Sequence, residues 1–96
     1  MTLAPDDPAL VADLIVSAAT SVPGVTDLHA GAFGEVATYL PGRRVVGVRL
    51  TPGLTEVHVV VAMGVPILQV AESVRQVVQP LVDTPVDVFV EDVHRI

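Results

Sequence analysis

Two periods of apolar residues follow one another along this chain. Leu10, Val11, Leu14, Ile15, Ala18 and Val22 recur at helical spacing. Asp7 before Pro8 reads as an N-cap followed by proline at the first helical position, and Pro23-Gly24 stops the pattern. The spacing predicts a helix over about residues 8–21. Residues 25–44 are the least regular part. Val25 to Ala30 fits a short strand broken by Gly31 and Gly34, and Glu35 to Leu40 fits either a second short strand or a loop turning at Pro41-Gly42.

From residue 46 the period changes to two. Val46, Val48 and Leu50 alternate with Gly47 and Arg49; after Thr51-Pro52-Gly53-Leu54, Val57, Val59 and Val61 alternate with Glu56, His58 and Val60. This predicts a hairpin with a loop of about four residues. Pairing Leu50 with Thr55 sets Val48 against Val57, Val46 against Val59 and Arg49 against Glu56, so apolar pairs and a charge pair favour one register. Gly64 and Pro66 end the strand. Ile67, Val70, Ala71, Val74, Val77, Val78 and Leu81 then mark the dry side of a second helix, with Gln69, Glu72, Arg75, Gln76 and Gln79 on the wet side, and Pro80 bending or ending it. After the turn at Asp83-Thr84-Pro85, Val86, Val88 and Val90 alternate with Asp87, Phe89 and Glu91 in a last strand. Residues 55–91 form a β-α-β unit, whose last strand should run parallel to the hairpin's second strand.

The fold class expected is α+β: a two-layer sandwich of a small mixed sheet (the hairpin plus a strand after a crossover helix) with two helices on one face. The organisation expected is a frayed lead-in over residues 1–7 and a single domain over 8–96. Ninety-six residues, 51% of them apolar, suit one modest core. The apolar set is mostly Val, Ala and Leu, and Phe33, Tyr39 and Phe89 are the only Phe, Tyr or Trp residues.

Charge and chemistry narrow the function classes. Eleven acids face five arginines with no lysine, a net charge of −6 that repels phosphate backbones and anionic headgroups. The lack of cysteine removes thiol chemistry and disulfides. The opening residues, with Asp6, Asp7 and Pro8, do not read as a signal peptide, and a cytoplasmic place is expected. The longest apolar run, Val59 to Leu68, is interrupted by Gly64 and Pro66 and falls short of the roughly 20 residues of a membrane span, so direct insertion is not expected.

His29, His58 and His94 lack the spacing of a zinc site and read as surface histidines. Asp6-Asp7 lies at the terminus, and Glu91-Asp92 are strand neighbours that should point to opposite faces. Ser17, Ser21 and Ser73 lie on or beside helices without a nucleophile elbow. No catalytic residue, metal or cofactor is assigned. Gly31-Ala32-Phe33-Gly34 is formally the GxxG of K-homology loops, but it is followed by Glu35 and joins no two helices. A small nucleic-acid-binding module with a K-homology-like layout is the alternative function, set against by charge.

The remaining candidate is a surface. With helices on one face only, the other face of the sheet carries Val45, Val60, Ala62 and Phe89, rimmed by Arg49, Glu56, His58, Asp87 and Glu91. An apolar centre with a charged rim is the anatomy of a protein interface. Two arrangements are open: the face is bare, or residues 25–44 fold across it and supply Phe33, Tyr39 and Leu40 as a lid. The interface residues expected are Val60 and Phe89 as apolar anchors, Arg49 and His58 beside them, and Arg43, Arg44, Phe33 and Tyr39 from the preceding loop.

One resemblance spans residues 8–93. Val22-Pro23-Gly24-Val25, the segment Gly34 to Val45, Glu56 to Val61, Gly64-Val65-Pro66-Ile67 and Pro85 to Val93, in this order and spacing, resemble the bacterial alkaline shock protein family, also called envelope stress response proteins. The resemblance implies a non-enzymatic cytoplasmic protein that accumulates under envelope or alkaline stress. It also implies self-assembly and a link to the membrane through a small membrane-anchored protein partner. The family offers no catalytic residues to carry over. This chain departs from lysine-rich members in having no lysine and only short ends.

Overall fold

A computed structural model describes residues 7–95. Residues 1–6, most of the expected frayed lead-in, and residue 96 lie outside the described part. The first helix, α1 (Pro8–Thr20), starts where the sequence says: the Asp7 carboxylate accepts the Leu10 N–H at 3.2 Å, satisfying one of the first-turn donors that a helix leaves unpaired. Five strands precede the second helix: β1 (Val25–Leu28), β2 (Ala37–Leu40), β3 (Arg43–Val46), β4 (Val48–Thr51) and β5 (Leu54–Ala62). Then come α2 (Ile67–Val78), a 3-10 turn at Gln79–Leu81 that carries Pro80, and β6 (Val86–His94). Two helices on one face of a mixed sheet make the α+β sandwich expected.

β5 is the axis of the main sheet. β6 runs parallel along one edge, from Thr55↔Val86 to Ala62↔His94. The other edge is shared end to end by two antiparallel strands: β4 covers Leu54 to Val57, and β1 covers Val59 to Val61. The register Leu50↔Thr55, Val48↔Val57 and Arg49↔Glu56 is as expected, with the turn reduced to Pro52-Gly53. Val46 does not face Val59. Val59 is paired with Leu28 of β1, and Val46 with Ala37 of β2.

Gly47 is the reason for that change of partner. Its φ of +86° turns the chain out of the hairpin, and a Cβ there would stand 2.7 Å from the Leu28 Cβ. The bare glycine lets β1 close up beside β4. Its carbonyl accepts from His58 N–H at 2.8 Å, while its own N–H reaches outward to the Val36 carbonyl at 2.9 Å. Residues 35–46 are consequently more ordered than their sequence suggests. β2 and β3 form a second antiparallel sheet turning at Pro41-Gly42, which docks on β4 through a buried bond from Thr38 Oγ1 to the Val48 carbonyl at 2.7 Å.

The core lies between the helices and the inner face of β5. Val57, Val59 and Val61 are fully buried against Ile15 and Ala19 of α1 and Val74 and Val78 of α2. The dry stripe of α1 runs through Val11, Ala12, Ile15 and Ala19, leaving Leu10 exposed. Val45, expected on the outer face, is buried in this core because the second sheet folds toward α1. Arg43 of β3 reaches α1 as well, in a bidentate pair with Asp13 at 2.9 and 3.1 Å. The Arg43 hydrogen bonds hold the Asp13 carboxyl below its usual range, and those same bonds raise Arg43. Among the described residues no helix is long and apolar enough to cross a membrane.

Candidate functional site

The outer face of the main sheet is not the apolar patch that alternation suggests. His58 projects from the middle of β5 with its side chain only 7% exposed. Its Nδ1 lies 2.8 Å from Glu91 Oε1 and its Nε2 lies 3.2 Å from Glu56 Oε1. The second Glu56 oxygen accepts from Arg49 Nη1 at 3.3 Å. The Phe89 ring lies over the imidazole, with centroids 4.4 Å apart and planes 17° from parallel. His58 is thus no surface histidine: it is the centre of a chain Arg49–Glu56–His58–Glu91 roofed by an aromatic ring. A neutral imidazole can donate to only one of the two carboxylates, and an imidazolium to both.

A bulge in β6 makes this cluster. The register moves from Val59↔Val90 to Val60↔Asp92, leaving Glu91 as the additional residue. Because partners across a ladder share a face, Asp92 falls beside Val60 on the outer side, and Glu91 bonds His58 on that side too. The strand neighbours Glu91 and Asp92 therefore do not point to opposite faces. Val60 is half-buried, with Asp27 of β1 on one side and Asp92 on the other. It sits in an acidic frame, and the apolar centre of the face reduces to Phe89.

Residues 25–44 do not lie over this face as a lid. Phe33 is 91% and Tyr39 67% exposed, on the far side of β4 from β6. Arg44 pairs across the hairpin with Tyr39, and its guanidinium donates to the Gly34 carbonyl at 3.4 Å, beside Phe33. The Phe33 N–H is held by the Glu35 carboxylate at 3.1 Å. Phe33, Tyr39 and Arg44 form a surface group of their own, while Arg43 is occupied by Asp13. The GxxG turn joins β1 to β2.

Phe89 also belongs to a cleft that sequence reasoning missed. Between α2 and β6 lies an open groove of about 360 Å³, lined by Leu68, Ala71, Glu72 and Arg75 of α2 and by Val86 to Phe89 of β6. Leu68 is 86% exposed. It stands off the dry stripe of α2, which is Val70, Val74 and Val78, and an apolar residue on the wet side of a helix is the signal that could have found it. At the rim Arg75 Nε donates to Glu72 at 2.9 Å; that bond lowers the Glu72 carboxyl below its usual range and raises Arg75. Asp87, also at the groove, makes no ion pair among the described residues.

The three histidines stay apart in role. His29 Nδ1 accepts the Gly31 N–H at 2.9 Å, and His94 lies exposed at the end of β6. No cluster of three or more metal-ligating side chains occurs among the described residues. No protein-family model, curated protein or solved structure matches this chain.

Proposed function

We propose that this chain is a non-enzymatic protein-binding module whose contact surface is the α2–β6 groove together with Phe89 on the adjoining outer face. The observation that carries this reading is exposed apolar surface along that groove: Leu68 of α2 is 86% exposed and Phe89 of β6 40% exposed, and both line it. Keeping a side chain such as Leu68 in water costs on the order of 1.5–3 kcal/mol relative to full burial, and the part-buried Phe89 less, which contact with a partner would recover. The charged groups at the rim favour orientation of the partner over added affinity.

The resemblance to the envelope stress response proteins gives this binding a setting. The chain would act as a scaffold in the cytoplasm, associating with itself and with a small membrane-anchored protein that brings it to the inner face of the membrane. Light scattering coupled to size-exclusion chromatography, over a range of protein concentrations, tests the self-binding half. A mass that rises with concentration, and a Phe89→Glu variant that stays at monomer mass with unchanged circular dichroism, are the expected results. Association that is indifferent to Phe89→Glu would remove this surface from the reading.

A further inference from the structure

Among the described residues β6 bonds to β5 along one side and to no strand along the other. The Thr55 N–H donates to the Pro85 carbonyl, which fixes the parity of the strand. The backbone groups of Asp87 and Phe89 face β5, and those of Val88 and Val90 point away from it. No hydrogen bond among the described residues takes up these outward groups. Beyond Val90 the bulge bends the edge aside, so the stretch open to pairing is short.

The two sides of this edge differ in chemistry. On the inner side, Leu68, Ala71 and Arg75 recur at the spacing of one helix face and line the groove beside Val88. Arg75 is already paired with Glu72, so what this side offers is the apolar surface of Leu68, Ala71 and Val88. On the outer side, Asp87 makes no ion pair among the described residues, and its ladder partner Glu56 is a second acid. The exposed part of Phe89 lies next to it, a surface over which the stem of a long cationic side chain can rest.

Residues that pair across a ladder share a face, so these two sides dictate the alternation of any strand laid along β6. Resting on the protein-binding reading above, we infer that the open edge of β6 takes up a short antiparallel strand of another protein, with an apolar residue opposite Val88 turned toward α2 and lysine or arginine opposite Asp87. Backbone bonds to Val88 supply affinity, and the alternate side chains supply specificity. A second copy of this chain is the poorer occupant: its own free edge, Val86 to Val90, carries an acid and no base, in a chain of net charge −6.

A fluorescein-labelled, capped peptide of alternating valine and lysine, Val-Lys-Val-Lys-Val, tests this by fluorescence anisotropy on the full chain. The peptide with glutamate for lysine should bind about tenfold more weakly or worse, as should the lysine peptide to an Asp87→Lys variant. The decisive probe is the lysine peptide N-methylated at its central valine. It keeps every charge but loses the donor that would bond the Val88 carbonyl, and should bind about fivefold more weakly or worse. In an amide NMR titration the backbone signals of Val88 and Val90 should move and gain protection from hydrogen exchange. No binding at millimolar peptide would overturn the proposal. So would equal binding of the N-methylated peptide, which would mean that charge alone holds it, or shifts confined to residues away from β6. If the lysine peptide fails in any of these ways while Phe89→Glu still abolishes self-association, the groove keeps its role as a contact surface and strand addition is excluded.

Discussion

The imidazole of His58 lies under the ring of Phe89, 4.4 Å from centroid to centroid, and this contact joins the two halves of the exposed surface: the ionic chain on the outer face and the apolar groove beside α2. Phe89 shields the bonds beneath it from water while its remaining surface is open to a partner. Replacing Phe89 with Ala should lower stability by about 1–3 kcal/mol, combining lost ring contact with partial loss of buried area. Urea denaturation at neutral pH gives the number, and a change below about 0.5 kcal/mol would mean the ring rests on the cluster without stabilising it.

Removing the histidine itself should be worse. His58→Leu leaves the Glu56 and Glu91 carboxylates facing an apolar side chain, with only Arg49 to answer Glu56. Their partial exposure moderates the penalty, to about 2–3 kcal/mol at neutral pH. In a background already carrying Glu91→Gln the same substitution should cost less, by about 1 kcal/mol, because one of the stranded charges is gone. A double-mutant cycle in urea measures that coupling; additive effects would show that the two side chains do not stabilise each other.

Gly47 and Gly42 offer a controlled comparison. Both have positive φ, +86° and +78°. An Ala at Gly42 meets open space and should cost about 1–2 kcal/mol for the backbone alone. An Ala at Gly47 meets Leu28 Cβ at 2.7 Å and the His58 carbonyl at 3.0 Å, so overpacking adds to the backbone cost and the loss should reach about 3–4 kcal/mol. Thermal melts of the two variants should rank them in that order. Equal losses would mean that β1 can move away from β4 at little cost.

The Asp13–Arg43 pair ties α1 to the second sheet and should leave an acid signature. Asp13 has a lowered value in the folded chain, so its contribution is fully present above the ordinary carboxyl value of 3.8 and is lost as pH falls through the folded one. The pair is solvent-exposed and the effect small. The stability difference between wild type and Asp13→Asn should hold constant between about pH 5 and 8 and close below pH 3.8. A gap that persists in stronger acid would place the effect in the helix and not in the ion pair.

Much of the main layer was legible in the chain. Val48, Val57, Arg49 and Glu56 fix the β4–β5 register because the apolar and the charged alternation agree there, and Asp7-Pro8 marks the start of α1 unambiguously. What escaped shares a physical cause: local patterns carry no information about which distant strand takes a place. Val46 continues the alternation of Val48 and Leu50, yet Gly47 turns it into another sheet and Leu28 takes its partner. Val86 to His94 reads as unbroken alternation through Glu91, and nothing in those residues announces a bulge, so the meeting of Glu91 with His58 was invisible. His58 is buried by the Phe89 ring paired opposite it together with the Glu91 that the bulge brings alongside. Phe33 and Tyr39 stand out in the sequence as aromatics in a valine-rich chain, but their exposure at the edge opposite Phe89 depends on the route the chain takes around Gly47.

The bulge at Glu91 has one further effect. β6 bonds to β5 along one side only, so its outward backbone groups are open to any passing strand, and a valine-rich strand in that position invites stacking of copies into fibrillar aggregates. The extra residue breaks that template after Val90. Only Val86 to Val90 remain straight, with Asp87 among them, and beyond them Glu91 and Asp92 crowd two carboxylates onto one side of a bent backbone. The same irregularity that delivers an acid to His58 thus shortens the straight edge on which another strand could pair.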